Sequence, residues 1–222
     1  MDGIIFIAPP AAGKGTQSKL ICNKYNIPHI SAGDLLREIA SRDEEKRKYI
    51  EKHTQSGKLV SDKFMIDIVY AKLKEPICDK GYILDGFPRD INQAIGLDDI
   101  LKKLNKKLGY VFLLDISYDI SRTRIVGRQS CPNCGKVYNF LDPSSKSKLK
   151  DICDDCKATL IKRDDDNDET FKKRYDTYLK ETAPILSYYE RKGILHRIDA
   201  SLSIEEVFNQ ITSIIGWNYD YN

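Results

Sequence analysis

The sequence predicts an α/β fold built on a parallel sheet, and three observations carry that expectation. Short apolar runs alternate with longer stretches of helical periodicity along most of the chain. The runs at Ile4–Ala8, Tyr82–Leu84 and Tyr110–Ile116 are dense in Ile, Val, Leu, Phe and Tyr, as strands buried on both faces require. The first run passes directly into a tight loop, Pro9-Pro10-Ala11-Ala12-Gly13-Lys14-Gly15-Thr16, and from there into a helical pattern.

Taken in chain order, the first strand at Ile4–Ala8 precedes a helix at Lys14–Tyr25 and a short strand at Pro28–Ile30. Polar helical patterns follow at Gly33–Arg42 and Lys46–Ser56, then a more apolar one at Lys63–Leu73. Strand Tyr82–Leu84 leads to helix Ile91–Leu104, and strand Tyr110–Ile116 to helix Ile116–Gly127. Beyond a cysteine-bearing stretch come a long helical pattern at Thr170–Arg191, a fifth strand at Leu195–Asp199 and a last helix at Ser203–Ile215. The tail Trp217–Asn222 reads as a surface extension.

A chain of 222 residues allows one large domain with small insertions, and 41% hydrophobic residues suffice for its core. The formal net charge of +3 provides no field for bulk nucleic-acid binding. No run of 18 apolar residues predicts a membrane span, and the N-terminal apolar run is too short and lacks the basic lead of a signal peptide. A cytoplasmic location is the resulting expectation. Two regions break the strand–helix rhythm, a polar helical stretch at residues 31–60 and a lysine- and cysteine-rich one at 128–162. Neither is large enough for a core of its own. Both read as insertions moving on a rigid core of residues 1–30, 61–127 and 163–222.

The loop after the first strand carries phosphate-binding chemistry. Such loops hold an anion with converging backbone amides at a helix N-terminus. Lys14 adds a mobile positive charge, and Thr16 can reach a magnesium ion or a phosphate oxygen. The loop departs from the usual pattern, with Ala8 at the first glycine and Gly15 between Lys14 and Thr16. Pro9 and Pro10 donate no amide hydrogen. Ala11 has either an ordinary backbone angle or a left-handed one that costs on the order of 1–2 kcal/mol. Asp85 ends the third apolar run, as a carboxylate that orders magnesium through water would.

The cysteines give a second signal. Cys131-Pro-Asn-Cys134 and Cys153-Asp-Asp-Cys156 stand 18 residues apart, a spacing typical of zinc sites. Four thiolates leave no open coordination position, so the zinc would be structural, stapling a segment too small to hold itself together. Disulfides, the alternative, do not suit a cytoplasmic protein. His29, His53 and His196 show no ligand spacing, and Cys22 and Cys78 read as plain thiols.

These motifs, in this order, resemble the adenylate kinases and their nucleoside monophosphate kinase relatives. The loop Pro10–Gln17 is similar to their P-loop, with alanine at positions 8 and 11 where the family has glycine. Ser31-Ala32-Gly33-Asp34-Leu35-Leu36-Arg37 resembles the monophosphate-site motif, and Gly57-Lys58-Leu59-Val60-Ser61-Asp62 the edge of the acceptor-binding domain. Leu84-Asp85-Gly86-Phe87-Pro88-Arg89, with Gln93 four residues on, resembles the family signature, and Arg163-Asp164-Asp165-Asp166 with Arg174 resembles the flank of the lid.

The resemblance implies a P-loop kinase with a five-stranded parallel sheet flanked by helices, a small helical acceptor-binding insertion at 31–60 and a zinc-bearing lid at 128–162. It implies a monomer that uses ATP with magnesium. Lys14, Asp85, Arg89, Arg128, Arg163 and Arg174 are the implied catalytic set. ATP would lie against Ala11, Ala12, Gly13, Lys14, Gly15, Thr16, Arg128, Val137, Tyr138 and Leu202. AMP would lie against Ala32, Arg37, Lys58, Leu59, Val60, Gly86, Phe87, Pro88, Arg89, Gln93, Arg163 and Arg174. Cys131, Cys134, Cys153 and Cys156 would hold the zinc. Ala32, where adenylate kinases usually have threonine, is familiar from UMP and CMP kinases. Gln93, whose amide suits the edge of adenine, and the long cysteine-bearing lid favour AMP. An inactive nucleotide-binding scaffold is the reading from a different class, and the full set of cations speaks against it.

Overall fold

The computed structural model describes residues 1–54, 60–142, 145–162 and 166–217. Its strands are β1 (Gly3–Ile7), β2 (His29–Ser31), β3 (Ile83–Asp85), β4 (Leu108–Asp115), β5 (Arg128–Ser130), β6 (Val137–Asn139) and β7 (Leu195–Asp199). Its helices are α1 (Lys14–Tyr25), α2 (Ala32–Arg42), α3 (Glu44–Thr54), α4 (Asp62–Leu73), α5 (Ile91–Leu104), α6 (Tyr118–Val126), α7 (Asp168–Thr177), α8 (Pro184–Arg191) and α9 (Ile204–Trp217).

Five strands form one parallel sheet in the order β2-β3-β1-β4-β7. β1 is central, with Phe6 opposite Asp85 on one side and Phe112 on the other. Successive side chains of β1 leave on opposite faces, and both faces are covered. Ile5 and Ile7 pack with Leu84, Val111 and Leu113 against Val69 of α4, Leu97 of α5 and Ile185 of α8. Ile4 and Phe6 pack with Ile83, Phe112 and Leu114 against Ile21 of α1 and Ile211 of α9. This two-sided burial is why the strands read as unbroken apolar runs.

The order also positions the site. The chain leaves β1 toward β2 and β3, then crosses back to place β4 on the other side of β1. Such a reversal opens a crevice at the carboxyl ends of the strands, where ligands of open α/β sheets bind. The loop after β1 and the end of β3 both lie at that edge.

The structure departs from the sequence expectations in three places. The pattern at Thr170–Arg191 is not one helix. A π-helical turn at Tyr178–Thr182 separates α7 from α8, with the Ala183 amide bonded back to the Tyr178 carbonyl. Pro184, which has no amide to donate, starts α8. The helix expected from Ile116 starts at Tyr118, because the Ser117 hydroxyl caps it by accepting the Ile120 amide at 3.3 Å. The antiparallel pair β5–β6 was not expected, since two three-residue strands are too short to show a period. Among the described residues, no helix is long and apolar enough to cross a membrane.

Candidate active site

At the mouth of the crevice the loop from Ala8 to Gly13 joins β1 to α1. Gly13, the residue before the helix, is left-handed at φ 88°, and its carbonyl accepts the amides of Thr16 and Gln17, each at 3.0 Å. The amides of a helix's first turn have no partner within the helix and point outward, which makes this end an anion site. A Cβ at Gly15 would stand in open space, so the loop is roomy there. Buried Ser121 of α6 ties the loop down by donating to the Pro10 carbonyl.

The two alanines of the loop have different consequences. Ala8 is not among the left-handed residues, so no glycine is needed there. Ala11 is left-handed at φ 58°, and of the two alternatives for this residue the strained one holds. Ala12 packs in the core beneath the loop, and its amide reaches the Pro9 carbonyl at 3.4 Å.

Asp85 ends β3 beside the loop and pairs with Lys14 Nζ. Its other oxygen takes a hydrogen bond with His29 Nε2 at 3.1 Å. Burial pushes the Asp85 carboxyl up. The hydrogen bond with His29 and the charge of Lys14 outweigh that push, leaving the group well below the usual carboxylate range. An ionised oxygen donor therefore stands against the phosphate loop. His29 lies 56 residues from Asp85 in the chain, so no local spacing marks the pair; the parallel pairing of β2 with β3 brings them together.

The β3–α5 connection holds the next set. Gly86 is left-handed at φ 78°, and Phe87 and Pro88 are buried. Arg89 Nε donates to the Gly86 carbonyl at 3.0 Å, and Thr182 of the π-turn donates to the Arg89 carbonyl at 3.1 Å. Its tip reaches solvent, yet the surrounding chain desolvates the guanidinium. That desolvation lowers its pKa against the opposing charge of Asp85, with a smaller lowering from the Arg174 charge. The charges of Asp85 and Arg174 both act on the Arg89 guanidinium.

Gln93 is buried, its Oε1 accepting the Arg89 amide at 2.9 Å and its Nε2 donating to Asp62 Oδ1 at 3.0 Å. Asp62 ends the Gly57–Asp62 motif, and nothing in the sequence marks it as a partner of Gln93. Ala32 and Val60 are buried, whereas Arg37 is exposed and pairs with Asp34. Lys58, Leu59 and Arg163 lie outside the described residues.

On the donor side Arg128 begins β5 and grips the fully buried Asp166 with two nitrogens, Nε at 2.7 Å and Nη2 at 2.5 Å. Val137 is half exposed and Leu202 lies exposed in the β7–α9 connection. Tyr138 is turned inward: its ring is buried, and its hydroxyl lies 3.4 Å from Cys153 Sγ and accepts the Asp154 amide at 2.8 Å. A nucleotide beside Tyr138 would meet its backbone, since the ring belongs to the cysteine cluster.

All four cysteine sulfurs lie within 4.8 Å of one another, and all four cysteines are free. Cys131 and Cys156 sulfurs are 3.2 Å apart and those of Cys134 and Cys153 3.5 Å. A tetrahedral zinc with bonds of about 2.3 Å sets sulfur separations near ~3.8 Å, within this range. The two knuckles are built alike. The Gly135 amide bonds to the Cys131 carbonyl at 3.0 Å, and the Lys157 amide to the Cys153 carbonyl at 3.1 Å. Gly135 and Lys157 are both left-handed, at φ 72° and 63°. The amide of Cys156 and then the Tyr138 hydroxyl pull the Cys153 thiol down to about 6. The residues present fit a tetrahedral thiophilic metal.

One lysine on a phosphate loop accounts for one phosphorylated ligand. Arg89, on the loop after β3 and within reach of the Arg174 charge, suits a second. The fold and the site together define a P-loop phosphotransferase with two phosphorylated substrates. Residues 6–194 match the family model described as adenylate kinase. Proteins named adenylate kinase from Thermotoga neapolitana and Archaeoglobus fulgidus are each 43% identical, the first over 98% of this chain and 99% of its own length, the second over 96% and 97%. One from Kosmotoga olearia is 46% identical over 94% of this chain and 96% of its own. The chain belongs to the adenylate kinase family and is an ATP:AMP phosphotransferase.

Proposed function

We propose that the chain reversibly transfers the terminal phosphoryl group of ATP to AMP, giving two ADP, by the following division of labour. Phosphoryl transfer passes through a loose transition state whose charge is spread over three oxygens, so the protein's task is positioning and neutralisation. Lys14 leaves Asp85 for the donor phosphates, held also by the amides of Ala11 to Thr16. Asp85, kept ionised, would help hold the magnesium that accompanies ATP, and that ion would supply charge neutralisation. Arg37 and Arg89 clamp the acceptor phosphate, and Arg163 and Arg174 grip the group in transit. Arg128 covers the donor phosphates from the lid, with Val137, the Tyr138 backbone and Leu202 along the adenine. Ala32, Lys58, Leu59, Val60, Gly86, Phe87, Pro88 and Gln93 surround AMP. The observation that carries this reading is the Lys14–Asp85 pair against the loop after β1, with Arg89 held on the connection that follows β3.

Residues 31–60 and 128–162 are proposed to close over acceptor and donor, excluding water that would hydrolyse ATP. Zinc on Cys131, Cys134, Cys153 and Cys156 would cross-link the lid without entering the chemistry. A monomer in the cytoplasm completes the proposal. The test is an ADP-formation assay with ATP and magnesium against AMP, CMP, UMP and GMP in parallel. Preference for AMP is expected. Preference for CMP or UMP would assign Ala32 a pyrimidine site, and no transfer to any acceptor would leave only a nucleotide-binding scaffold.

A further inference from the structure

We propose that Asp62 is a positioning residue that selects 6-amino over 6-oxo purines in the acceptor site, by holding the Gln93 amide in one of its two orientations. A glutamine amide is nearly symmetric in shape, but turning it over exchanges an acceptor for two donors. At Gln93 both ends are fixed by groups of opposite character. The Arg89 amide can only donate, so the atom 2.9 Å from it is the oxygen. The Asp62 carboxylate can only accept, so the atom 3.0 Å from it is the nitrogen. Turned over, the amide would set N–H against N–H at Arg89 and oxygen against carboxylate at Asp62. Gln93 is 2% exposed, so water does not relieve those clashes.

Asp62 is itself held in place. It is the first residue of α4, behind the Ser61 cap, whose hydroxyl accepts the Phe64 amide at 3.4 Å. Asn92 Nδ2 approaches its second oxygen at 3.4 Å. On the other side, Asp90 caps α5 by accepting the Gln93 amide at 2.9 Å, which anchors the base of the glutamine. Two helix starts, one bordering the acceptor-binding insertion and one following the signature loop, thus fix a single side-chain amide.

Each end of that amide keeps one unused partner site, a lone pair on Oε1 and an N–H on Nε2, in a fixed order. Adenine offers an N6 donor beside the N1 acceptor, which an acceptor beside a donor satisfies. Hypoxanthine offers an O6 acceptor beside an N1 donor, the reverse order. An amide free to turn would serve either base, whereas the pinned one leaves both groups of a 6-oxo purine facing like partners. The inference rests on the proposed reading that Gln93 meets the acceptor base.

The test measures AMP and IMP affinity by titration calorimetry on the full-length protein, so that a ratio is read even where IMP is a slow substrate. In Asp62→Asn the new side-chain amide can itself turn and serve either orientation of Gln93. The preference for AMP over IMP is expected to fall by roughly tenfold, mainly through tighter IMP binding. If Asp62 only supports the α4 start, both affinities weaken together and the ratio stays, which overturns the proposal. Asp62→Ala, which removes the same restraint and leaves only the Arg89 amide to orient Gln93, serves if a melting curve shows the asparagine variant unfolded. Gln93→Ala separates the two ideas. If it keeps the AMP preference, Gln93 does not read the base and the proposal falls with that reading. If Gln93→Ala loses the preference while Asp62→Asn keeps it, the base reading stands and the pinning alone is refuted.

Discussion

Replacing Ala11 by glycine relieves a strain that the phosphate loop carries. The alanine sits at φ 58°, in the left-handed region that costs an L-residue with a Cβ about 1–2 kcal/mol. Glycine removes that cost but gains conformational freedom in the unfolded chain, which takes back about 0.4–1 kcal/mol. The midpoints of the two ranges leave a net stabilisation of roughly 0.5–1 kcal/mol. For a domain of this size it corresponds to a rise in melting temperature of about 1–4 °C. Differential scanning calorimetry of the wild type and Ala11→Gly measures it, with Ala12→Gly as the control. Ala12 is buried and not left-handed, so its replacement gains no strain relief and loses packing. The control should melt below the wild type. ATP affinity, read in parallel by calorimetric titration, tells whether a looser loop weakens the donor site. An Ala11→Gly variant that melts at or below the wild-type temperature would refute the strain argument.

Three further outcomes follow from the same geometry. Arg128→Ala leaves the buried Asp166 carboxylate without its partner and should destabilise the protein by about 3 kcal/mol, most of it recovered in the Arg128→Ala/Asp166→Ala double variant by denaturant unfolding. Asp85 has a depressed folded pKa, so its pairing stabilises the fold above the ordinary carboxyl range and that contribution is lost as pH falls through the folded pKa. The stability gap between wild type and Asp85→Asn should therefore be present near neutrality and shrink below about pH 4 in urea titrations at stepped pH. Cys153→Ser should lower bound zinc below one equivalent by metal analysis and lower the melting temperature of the lid, whereas Lys157→Gly, at a left-handed position, should raise it without changing the zinc content.

Much of this molecule is readable along the chain because its elements are locally encoded. Strands buried on both faces must be apolar at every residue, so β1, β3 and β4 announced themselves within a residue or two of their ends. Helix α5 stands as expected at Ile91–Leu104, because its apolar face repeats over four turns. The phosphate loop and the two cysteine knuckles are contiguous motifs, and contiguity is what a linear reading detects. The π-turn leaves no mark in the sequence because both flanks keep a helical period and only the widened turn between them differs. The β5–β6 pair was missed because its hydrogen bonds join residues that carry no periodic signal.

The sequence by itself therefore determined the class of fold, the loop between the first strand and helix, and the four-cysteine cluster. Tertiary structure alone decided which side chains meet. His29 reaches Asp85 only because β2 and β3 run parallel in register. Tyr138, expected at the nucleotide, turns its ring into the cysteine cluster, where it packs with Cys131, Cys153 and Leu160. Ala11 is left-handed because the chain must turn between β1 and α1 while the Pro10 carbonyl stays bound to α6. Gln93 points one way because a backbone amide and a carboxylate from two different helix starts hold its ends. Contacts of this kind depend on distances across the fold, and a spacing along the chain does not encode them.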